Sequence, residues 1–408
     1  MRILILTQYY PPETGAPQNR LSSLAHYLKS FGNEVEVLTA NPNYPRNEIY
    51  PGYKAWKNCK EIINDIPVHR TGIWVSKSKS VLARLINYFS FVFTSFFYGF
   101  FKMKKFDVII CESPPLFLGI TSILLKRKWK CRFVFNVSDL WPESAEKLGI
   151  IKNKFFLNLA YRLERYIYKH ADLICGQTKG IVSTIQQTVP NKTVHWYPNG
   201  AELKRFANVT PAIKDNDEFH LLYAGIIGHA QGLEVILYAA KKLESYPQIK
   251  FFLVGDGPVK QDLIELQQNL SLANITFIPN QPSDKIIEWL QRCDACIVPL
   301  KRIELFKGAI PSKLFEPLAI AKPILLGVEG EAKELFIDEG KAGLYFEPEN
   351  ADELANAILQ LYNDNALSKE LGANGKQYVT EFFTRDKIAC EFWKVMQKEF
   401  GENKSASV

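Results

Sequence analysis

Short apolar runs alternate with helical stretches along most of this chain, and loops rich in Gly and Pro join them. The first example comprises an apolar run at residues 2–7, a loop with Gly15 between two prolines, a helical pattern over residues 21–32 that ends at Gly32, and an apolar run at residues 34–39. Apolar runs this short, bounded by turn residues, are typical of strands buried in a parallel sheet. The alternation therefore predicts βαβ units and an α/β fold. The loop after the first strand of such a unit is a common ligand site, where Gly15 either lets the backbone approach a ligand or makes a plain turn.

The pattern recurs in two series, and the character of the chain changes between them near Pro198, Asn199 and Gly200. Further strands are predicted near residues 68–72, 107–111, 131–136, 172–176 and 193–197, and then near 220–224, 250–254, 275–278, 295–299, 323–328 and 343–346. A chain of 408 residues is long enough for two domains. We therefore predict one domain over residues 1–200 and another over 201–384. Apolar residues at helical spacing predict a last helix over 385–400.

The two halves differ in charge. Residues 1–200 contain 27 Lys and Arg against 13 Asp and Glu, a net charge of +14, whereas residues 201–408 contain 23 against 30, or −7. A basic half indicates an anionic partner such as membrane headgroups, nucleic acid or a phosphorylated substrate.

The seven cysteines are scattered along the chain, which indicates reduced thiols and a cytosolic protein. The N-terminus enters a predicted strand directly and does not have the pattern of a signal peptide. Cys293 and Cys296 form a C-x-x-C pattern that runs into a predicted strand, so we predict a buried thiol pair there.

Residues 85–101 contain no charged side chain, and nine of these 17 residues are Phe or Tyr. Basic residues flank the segment, namely Lys77, Lys79, Arg84, Lys102, Lys104 and Lys105. An aromatic helix with basic flanks is typical of one that lies in the headgroup region of an anionic membrane. A helix buried against the sheet is the equal alternative. Asn87, Ser90, Thr94 and Tyr98 recur at helical spacing and form a polar stripe, which argues against a helix that spans the membrane.

Asp139 and Glu143 follow the predicted strand at residues 131–136, with Trp141 and Pro142 between them. Carboxylates at the carboxyl end of a strand suit a general base or a hydrogen bond to a substrate hydroxyl. The same stretch also fits the start of a helix, with Ser138 or Asp139 before Pro142 and Glu143, and a capping role is the default interpretation from these residues alone.

Two glycine-rich loops follow the first two strands of the second series. Gly225, Gly228 and Gly232 lie between a predicted strand and a predicted helix, where a flexible backbone can bind a diphosphate. Their spacing matches neither the dinucleotide fingerprint nor the P-loop. A tight turn at Gly255 and Gly257 follows the next strand.

Residues 308–325 combine a loop, a short helix and an apolar strand. The pattern places Lys313 and Glu316 in the first turn of the helix, beside backbone N–H groups that lack intrahelical partners. A cation there suits a diphosphate, and a carboxylate one turn later suits a ribose diol. An ordinary helix start is the alternative for this stretch alone. Together with the two glycine loops, it predicts a nucleotide-type anion site in the second half.

In order along the chain, the stretches YAG with G-x-x-x-G and LE, VGDGP, DAxIVP and PSKLFEPLAxxKPI resemble the retaining GT-B glycosyltransferases of family 4. The stretches PPxxGA, SDLWPES and PNG look like the sub-group that builds bacterial O-antigen and capsule sugars, the L-fucosamine transferase type. The resemblance covers nearly the whole chain.

The resemblance implies the GT-B fold, in which two Rossmann-like domains face each other across a cleft and a C-terminal segment, residues 385–402, crosses back to the first domain. It implies a nucleoside-diphosphate sugar, such as a UDP-sugar, as the donor substrate, with no separate cofactor and no metal. The implied donor contacts are the diphosphate at Lys313, Gly225, Gly228, His229 and Gly232, the ribose at Glu316, and the base at Pro279 and Asn280. Gly15 is implied to lie across the cleft near the donor phosphate. Asp139 is implied to lie near the transferred sugar and acceptor, and it is the expected catalytic partner of Lys313.

Two positions depart from the family pattern. The family often has two glutamates eight positions apart, but the first position here is Gly308. Backbone groups of Gly308, Ala309, Ile310 and Pro311 are expected to contact the sugar instead. The family commonly has Arg or Lys in the first glycine loop, where this chain has His229, so more of the phosphate binding is expected to fall to Lys313.

The expected reaction is transfer of a sugar, such as an N-acetylated amino sugar, with retained configuration to a polyprenyl-diphosphate-linked glycan. The expected location is the inner face of the cytoplasmic membrane, bound through the basic half and residues 85–101. A nucleotide-sugar epimerase of the same fold is one alternative. A nucleic-acid-binding protein is another, although the chain has no recognised nucleic-acid motif and nucleic acid is not expected as a partner.

Overall fold

The computed structural model describes residues 1–401 except 46, 79, 148, 150, 152 and 207–216. The predicted basic flank at Lys79 and the predicted end of the returning segment at residue 402 lie outside the described residues. The chain forms two compact units. The first consists of Met1–Asn199 together with the segment from Arg385 onward, and the second is Gly200–Thr384.

The first unit is built on an eight-stranded sheet. Its strands are β1 (Arg2–Leu6), β2 (Glu34–Ala40), β3 (Cys59–Ile63), β4 (Ile66–Thr71), β5 (Val108–Ser113), β6 (Arg132–Val137), β7 (Leu173–Gly176) and β8 (Val194–Trp196). The strand order is β3-β4-β2-β1-β5-β6-β7-β8, and every pairing is parallel except that of β3 with β4. The central strands are almost completely buried because helices cover both faces.

Strand β3 was not predicted. It lies inside the segment of residues 41–67 that is rich in Pro, Asn and aromatic residues, and its half-buried and exposed positions alternate. An edge strand of five residues that pairs on one side carries a weak periodic signal, so its composition hides it.

Six helices of the first unit precede the second unit in the chain: α1 (Ala16–Ser30), α2 (Val81–Lys102), α3 (Leu118–Trp129), α4 (Glu143–Lys147), α5 (Lys154–His170) and α6 (Lys179–Thr188). Helices α2, α3, α5 and α6 share one apolar core on one face of the sheet, whereas α1 contributes to the core on the other face. Helix α3 packs between α2 and α5. Gly99 of α2 faces Leu125 of α3, and Gly119 of α3 faces Ile167 of α5, where a Cβ atom would lie within 3 Å of either neighbour.

The second unit is a six-stranded parallel sheet with its own core. Its strands are β9 (Phe219–Ala224), β10 (Ile249–Val254), β11 (Ile275–Ile278), β12 (Ala295–Pro299), β13 (Ile324–Gly327) and β14 (Gly343–Tyr345), in the order β11-β10-β9-β12-β13-β14. Its helices are α7 (Glu234–Lys242), α8 (Lys260–Asn269), α9 (Ser283–Arg292), α10 (Phe315–Ala319), α11 (Glu331–Lys333), α12 (Ala351–Asn363) and α13 (Asn365–Phe382). The predicted thiol pair is confirmed as buried: Cys293 directly follows α9, Cys296 lies in β12, and their sulfur atoms are 3.6 Å apart.

The last helix, α14 (Arg385–Gly401), belongs to the first unit. Ile388, Ala389, Phe392 and Met396 are buried in the same core as α1, and the Phe392 ring lies 4.8 Å from that of Tyr197. The apolar spacing predicted over residues 385–400 is therefore the face of the helix that packs on the first unit.

Candidate functional site

In the second unit the direction of winding reverses between β9 and β12. Strands β10 and β11 lie on one side of β9, and β12, β13 and β14 lie on the other. Loops that leave the carboxyl ends of two such strands open a crevice, which is where open α/β sheets bind ligands. Here the two loops are joined directly, because the backbone N–H of Lys301 after β12 donates to the carbonyl of Ala230 after β9 at 3.0 Å.

The first glycine loop connects β9 to α7. Gly225 has a φ of +150° and is exposed, and Gly232 has a φ of +59° just before α7. His229 is exposed in the 3-10 turn His229–Gln231 between them. Since L-residues with side chains are strained in these conformations, the positive φ angles explain the use of glycine at Gly225 and Gly232.

The second glycine turn packs on the first, backbone against backbone. A Cβ atom at Gly255 would lie 1.9 Å from the carbonyl oxygen of Gly225, and one at Gly257 would lie 2.2 Å from that of Ile227. The N–H of Ile227 in turn donates to the carbonyl of Asp256 at 3.0 Å. The glycines of the second turn therefore hold the first loop in place.

Lys313 lies under the first glycine loop. Its ammonium donates to the hydroxyl of Tyr223 at 2.8 Å and to the side-chain carbonyl of Gln231, and it lies 4.2 Å from the centroid of the Tyr223 ring. The Tyr223 hydroxyl in turn donates a hydrogen bond to the carbonyl of Ile226 at 2.6 Å. Held in this way, the Nζ atom of Lys313 lies 3.5 Å from the position that a Cβ atom on Gly225 would occupy.

Among the described residues, the two hydrogen-bond acceptors of Lys313 are uncharged. Burial of the ammonium lowers the pKa of Lys313 from 10.5 to about 7, and burial likewise raises the pKa of Tyr223 far above its usual value. A cation held by neutral groups at the switch point of the sheet is an arrangement that an anionic ligand would stabilise.

The sequence had predicted that Lys313 and Glu316 share one turn of α-helix, and the structure separates them. Lys313 lies in the 3-10 turn Ser312–Leu314, and α10 begins after it at Phe315. The physical reason is Pro317, which has no N–H to donate to the carbonyl of Lys313, so the first turn closes by 3-10 bonds.

Glu316 forms an ion pair with Arg205. Oε1 of Glu316 accepts from Nη1 of Arg205 at 2.9 Å, and both side chains are half-buried. Arg205 lies in the 3-10 turn Leu203–Phe206, near the start of the second unit. The predicted ribose-binding carboxylate is therefore oriented by a residue that the sequence did not single out.

The other predicted residues of the second unit lie in loops at the same edge of the sheet. Pro279 and Asn280 are exposed after β11. Gly308, Ala309, Ile310 and Pro311 precede the 3-10 turn of Lys313, and the side chain of Ile310 is buried in the core. The structure thus brings Lys313 next to the first glycine loop and places the predicted base and sugar segments in the loops that follow β11 and β12.

Gly15 and Asp139 lie in the first unit. Gly15 is the residue immediately before α1, which begins earlier than predicted, at Ala16 rather than within residues 21–32. Asp139 follows β6, and its carboxylate accepts from the hydroxyl of Ser144 in α4. Although Asp139 as a whole residue is exposed, desolvation of its carboxyl group raises the pKa of Asp139 above its usual value. The bond to Ser144 differs from the predicted N-capping contact, which would run to a backbone N–H.

Tyr223, Gln231 and Arg205 are the residues that sequence reasoning missed. Tyr223 lies in β9 just before the first glycine loop and Gln231 lies within that loop, so the sequence located both residues. Their orientation towards Lys313 depends on the pairing of β9 with β12. Arg205 and Glu316 are 111 residues apart, and no local pattern joins them.

Comparisons with known proteins agree over most of the chain. Residues 15–200 match the glycosyl transferase 4-like domain, and residues 206–378 match the glycosyl transferases group 1 family. The putative colanic acid biosynthesis glycosyl transferase WcaI of Escherichia coli (strain K12) is 30% identical over 390 residues, which cover 91% of this chain and 95% of that protein.

Two solved structures show the same fold at low sequence identity. Sucrose-phosphate synthase from Thermosynechococcus elongatus is 17% identical with a TM-score of 0.76, and the match covers 98% of this chain and 100% of that one. The Anabaena protein HepE, solved in complex with UDP-glucose, is 15% identical with a TM-score of 0.70 over the same shares of the two chains.

Proposed function

Because the chain belongs to the GT-B glycosyltransferases of family 4, we propose that it transfers a sugar from a nucleoside-diphosphate donor to a hydroxyl of a lipid-linked glycan. The transfer retains the anomeric configuration and serves the synthesis of a bacterial surface polysaccharide. An N-acetylated amino sugar of the L-fucosamine type is the proposed sugar, on the resemblance of the SDLWPES and PNG stretches.

The observation that carries the proposal is the position of Lys313. It lies between neutral groups at the switch point of the second sheet, next to Gly225 of the first glycine loop, where no side chain separates the ammonium from the backbone. A diphosphate there would gain a cation and the loop N–H groups, and Glu316 would reach the ribose. UDP is the proposed nucleotide, since the Anabaena protein of the same fold was solved with UDP-glucose.

In the proposed reaction the acceptor oxygen forms a bond to the anomeric carbon on the face from which the diphosphate leaves. The bond between that carbon and the phosphate oxygen breaks, and the acceptor proton passes to the departing phosphate oxygen. The protein contributes mainly electrostatic stabilisation: Lys313 and the loop N–H groups offset the negative charge that grows on the leaving group. Asp139 orients the acceptor or the transferred sugar through hydrogen bonds.

The experiment is an assay of purified protein with a panel of UDP-sugars and a polyprenyl-diphosphate-linked sugar as acceptor. The panel is first scored by thermal shift, because only a donor that binds should stabilise the protein strongly. We expect a glycan product with the donor's anomeric configuration, measured by NMR. Lys313→Ala should lower turnover by about a hundred-fold or more, whereas Lys285→Ala, an exposed lysine on α9, should not.

Two results would contradict the proposal. Conversion of the donor in the absence of acceptor would indicate an epimerase. Thermal shifts by none of the donors, with salt-sensitive binding to RNA, would indicate a nucleic-acid-binding protein.

A further inference from the structure

Helix α2 turns its polar side chains inward. These are the Asn87, Ser90, Thr94 and Tyr98 of the polar stripe, and they bond to the loop after β1 and to strand β4 and the segment after it. Asn87 accepts from Gln8 at 2.8 Å, the hydroxyl of Ser90 accepts from the N–H of Trp74 at 2.9 Å, and Tyr98 bonds to His69 at 3.0 Å. The remaining member, Thr94, donates to the carbonyl of Gly72 at 2.5 Å. Hydrogen bonds thus attach α2 to the sheet through the stripe that would be outermost in an ordinary amphipathic helix.

The side of α2 that faces away from the buried Phe91 and Val92 presents large apolar side chains to solvent. Leu82, Ile86, Phe89, Phe93, Phe97 and Phe101 follow one another at spacings of three or four, and each is between 39% and 68% exposed. The rings of Phe93, Phe97 and Phe101 stack along the helix, with centroids 6.4 and 6.2 Å apart. A continuous exposed apolar stripe of this length is unusual on a soluble monomer and marks an interaction surface.

The neighbouring helices extend this surface. Leu124 of α3 and Phe155, Phe156 and Leu159 of α5 are also exposed, and α3 packs between α2 and α5 on the same face of the sheet. We call these four residues together with the six of α2 the aromatic face.

The exposed charge on these three helices is positive. They contain nine Lys and Arg, namely Arg84, Lys102, Lys126, Arg127, Lys128, Lys154, Arg162, Arg165 and Lys169. Their single acidic residue is Glu164, which is buried and accepts a hydrogen bond from Tyr168 at 2.9 Å. The basic stretch Lys102, Lys104 and Lys105, at and just beyond the end of α2, is exposed as well.

We propose that the aromatic face docks on an anionic lipid bilayer, with α2 lying in the plane of the headgroups. Aromatic and aliphatic side chains would enter the boundary between headgroups and acyl chains, while the surrounding Lys and Arg would contact lipid phosphates. A bilayer rich in anionic lipid offers an apolar interior to the aromatic side chains and negative charge to the Lys and Arg, so it matches both features of this surface.

Among the described residues α2 is also the one helix long and apolar enough to cross a membrane, judged by length and composition alone. Spanning would require the polar stripe to leave its partners on the sheet, and the freed groups would then lie in hydrocarbon. Docking keeps every one of these hydrogen bonds.

The aromatic face continues towards the residue predicted to meet the acceptor. The ring of Phe89 lies 4.4 Å from that of Phe117, and Phe117 lies 5.2 Å from Trp141, two residues after Asp139. Docking would therefore bring the first unit's acceptor side to the bilayer surface. That consequence for a lipid-linked acceptor rests on the proposed function, whereas the docking itself does not.

The test uses the full chain and vesicles, without donor or acceptor, so that it is independent of transferase activity. Binding is measured by sedimentation with vesicles of phosphatidylcholine alone or mixed with phosphatidylglycerol. We expect strong binding to the mixed vesicles that weakens with salt. The double variant Phe93→Ser with Phe97→Ser should bind about ten-fold more weakly. Tyr238→Ser with Phe382→Ser is the matched control, because it removes two similarly exposed rings of the second unit, and it should bind as the wild type does.

A second pair of variants guards against misfolding. Lys102→Gln and Lys104→Gln remove exposed charges, and each should weaken binding to the mixed vesicles by about five-fold. The proposal is overturned if wild-type protein does not bind the mixed vesicles, or if the control pair weakens binding as much as the Phe pair. Concentration-dependent dimerisation that is lost in the Phe variant, without vesicle binding, would show instead that a second copy covers the face.

Discussion

Lys313 lies in an environment unlike that of an ordinary surface lysine. Its ammonium is buried against Tyr223 and Gln231, which solvate it less well than water does, so its pKa falls to about 7. A diphosphate beside the ammonium would favour its charged form and raise the pKa again. Donor binding should therefore be linked to uptake of a proton whenever Lys313 is neutral beforehand.

This linkage predicts how affinity depends on pH. Below pH 7 Lys313 is already charged and binding takes up no proton, whereas above pH 7 it must be protonated on binding. The affinity for a nucleotide sugar should thus fall by up to about ten-fold per pH unit above pH 7. Calorimetry at pH 6 and pH 8.5, in buffers of different ionisation enthalpy, should show proton uptake rising from near zero towards one. Lys313→Gln should abolish this rise, and the same uptake in that variant would refute the assignment.

Glu316 and Arg205 test the ribose contact. Glu316→Ala removes a carboxylate that would accept hydrogen bonds from the two ribose hydroxyls. The change should weaken UDP binding by about 10- to 100-fold, measured by calorimetry. Arg205→Gln keeps the carboxylate but frees its side chain. Since both partners are half-exposed, that loss should be only two- to five-fold. Arg292→Gln, an exposed arginine at the end of α9, is the control and should leave affinity unchanged. Wild-type affinity in Glu316→Ala would remove Glu316 from the site.

At the scale of elements, the two glycine turns act as one unit. Gly255 combines a φ of +154° with a backbone contact that leaves no room for a methyl group. Gly255→Ala should therefore push the second turn away from Gly225 and lower the free energy of unfolding of the second unit by about 2–4 kcal/mol.

The control for this substitution is Gly32→Ala. Gly32 has a φ of +84° but nothing within 4 Å of a Cβ atom, so its substitution tests conformation without collision. It should cost only about 1 kcal/mol. Denaturant titration measures both variants, and equal losses would show that the contact between the two turns contributes nothing.

Helix α2 shows how far periodicity alone can be trusted at this scale. The sequence predicted a helix with an aromatic side and a polar stripe, and both exist. The sequence left open whether the helix is buried against the sheet or lies at the surface. The structure shows that one side of the helix is buried and another is exposed. The polar stripe is bonded to the sheet, and the stripe of Phe residues is in solvent. Composition could not decide this because side-chain polarity normally predicts the reverse orientation.

At the scale of the whole molecule, the chain leaves the first unit at Asn199 and returns to it at Arg385. Phe392 is buried in the core of the first unit, so Phe392→Ala should lower that unit's free energy of unfolding by about 3–5 kcal/mol. Phe382→Ala removes an exposed ring ten residues earlier and should cost far less. Affinity for UDP, the nucleotide proposed to bind the second unit, should change little in either variant. A small loss in Phe392→Ala would show that α14 is not held by this core.

The sequence by itself determined the α/β class, nearly all of the strands, and the segments in which Lys313, Glu316 and the glycines occur. Those features depend on local spacing, and spacing is written in consecutive residues. The tertiary structure decided which of these residues meet. It joined Lys313 to Tyr223 and Gln231 across β9 and β12, and it paired Glu316 with Arg205. It also turned the polar side of α2 towards the sheet. Such contacts arise from strand order and helix orientation, which bring residues tens or hundreds of positions apart within 3 Å of each other, and no local pattern encodes them.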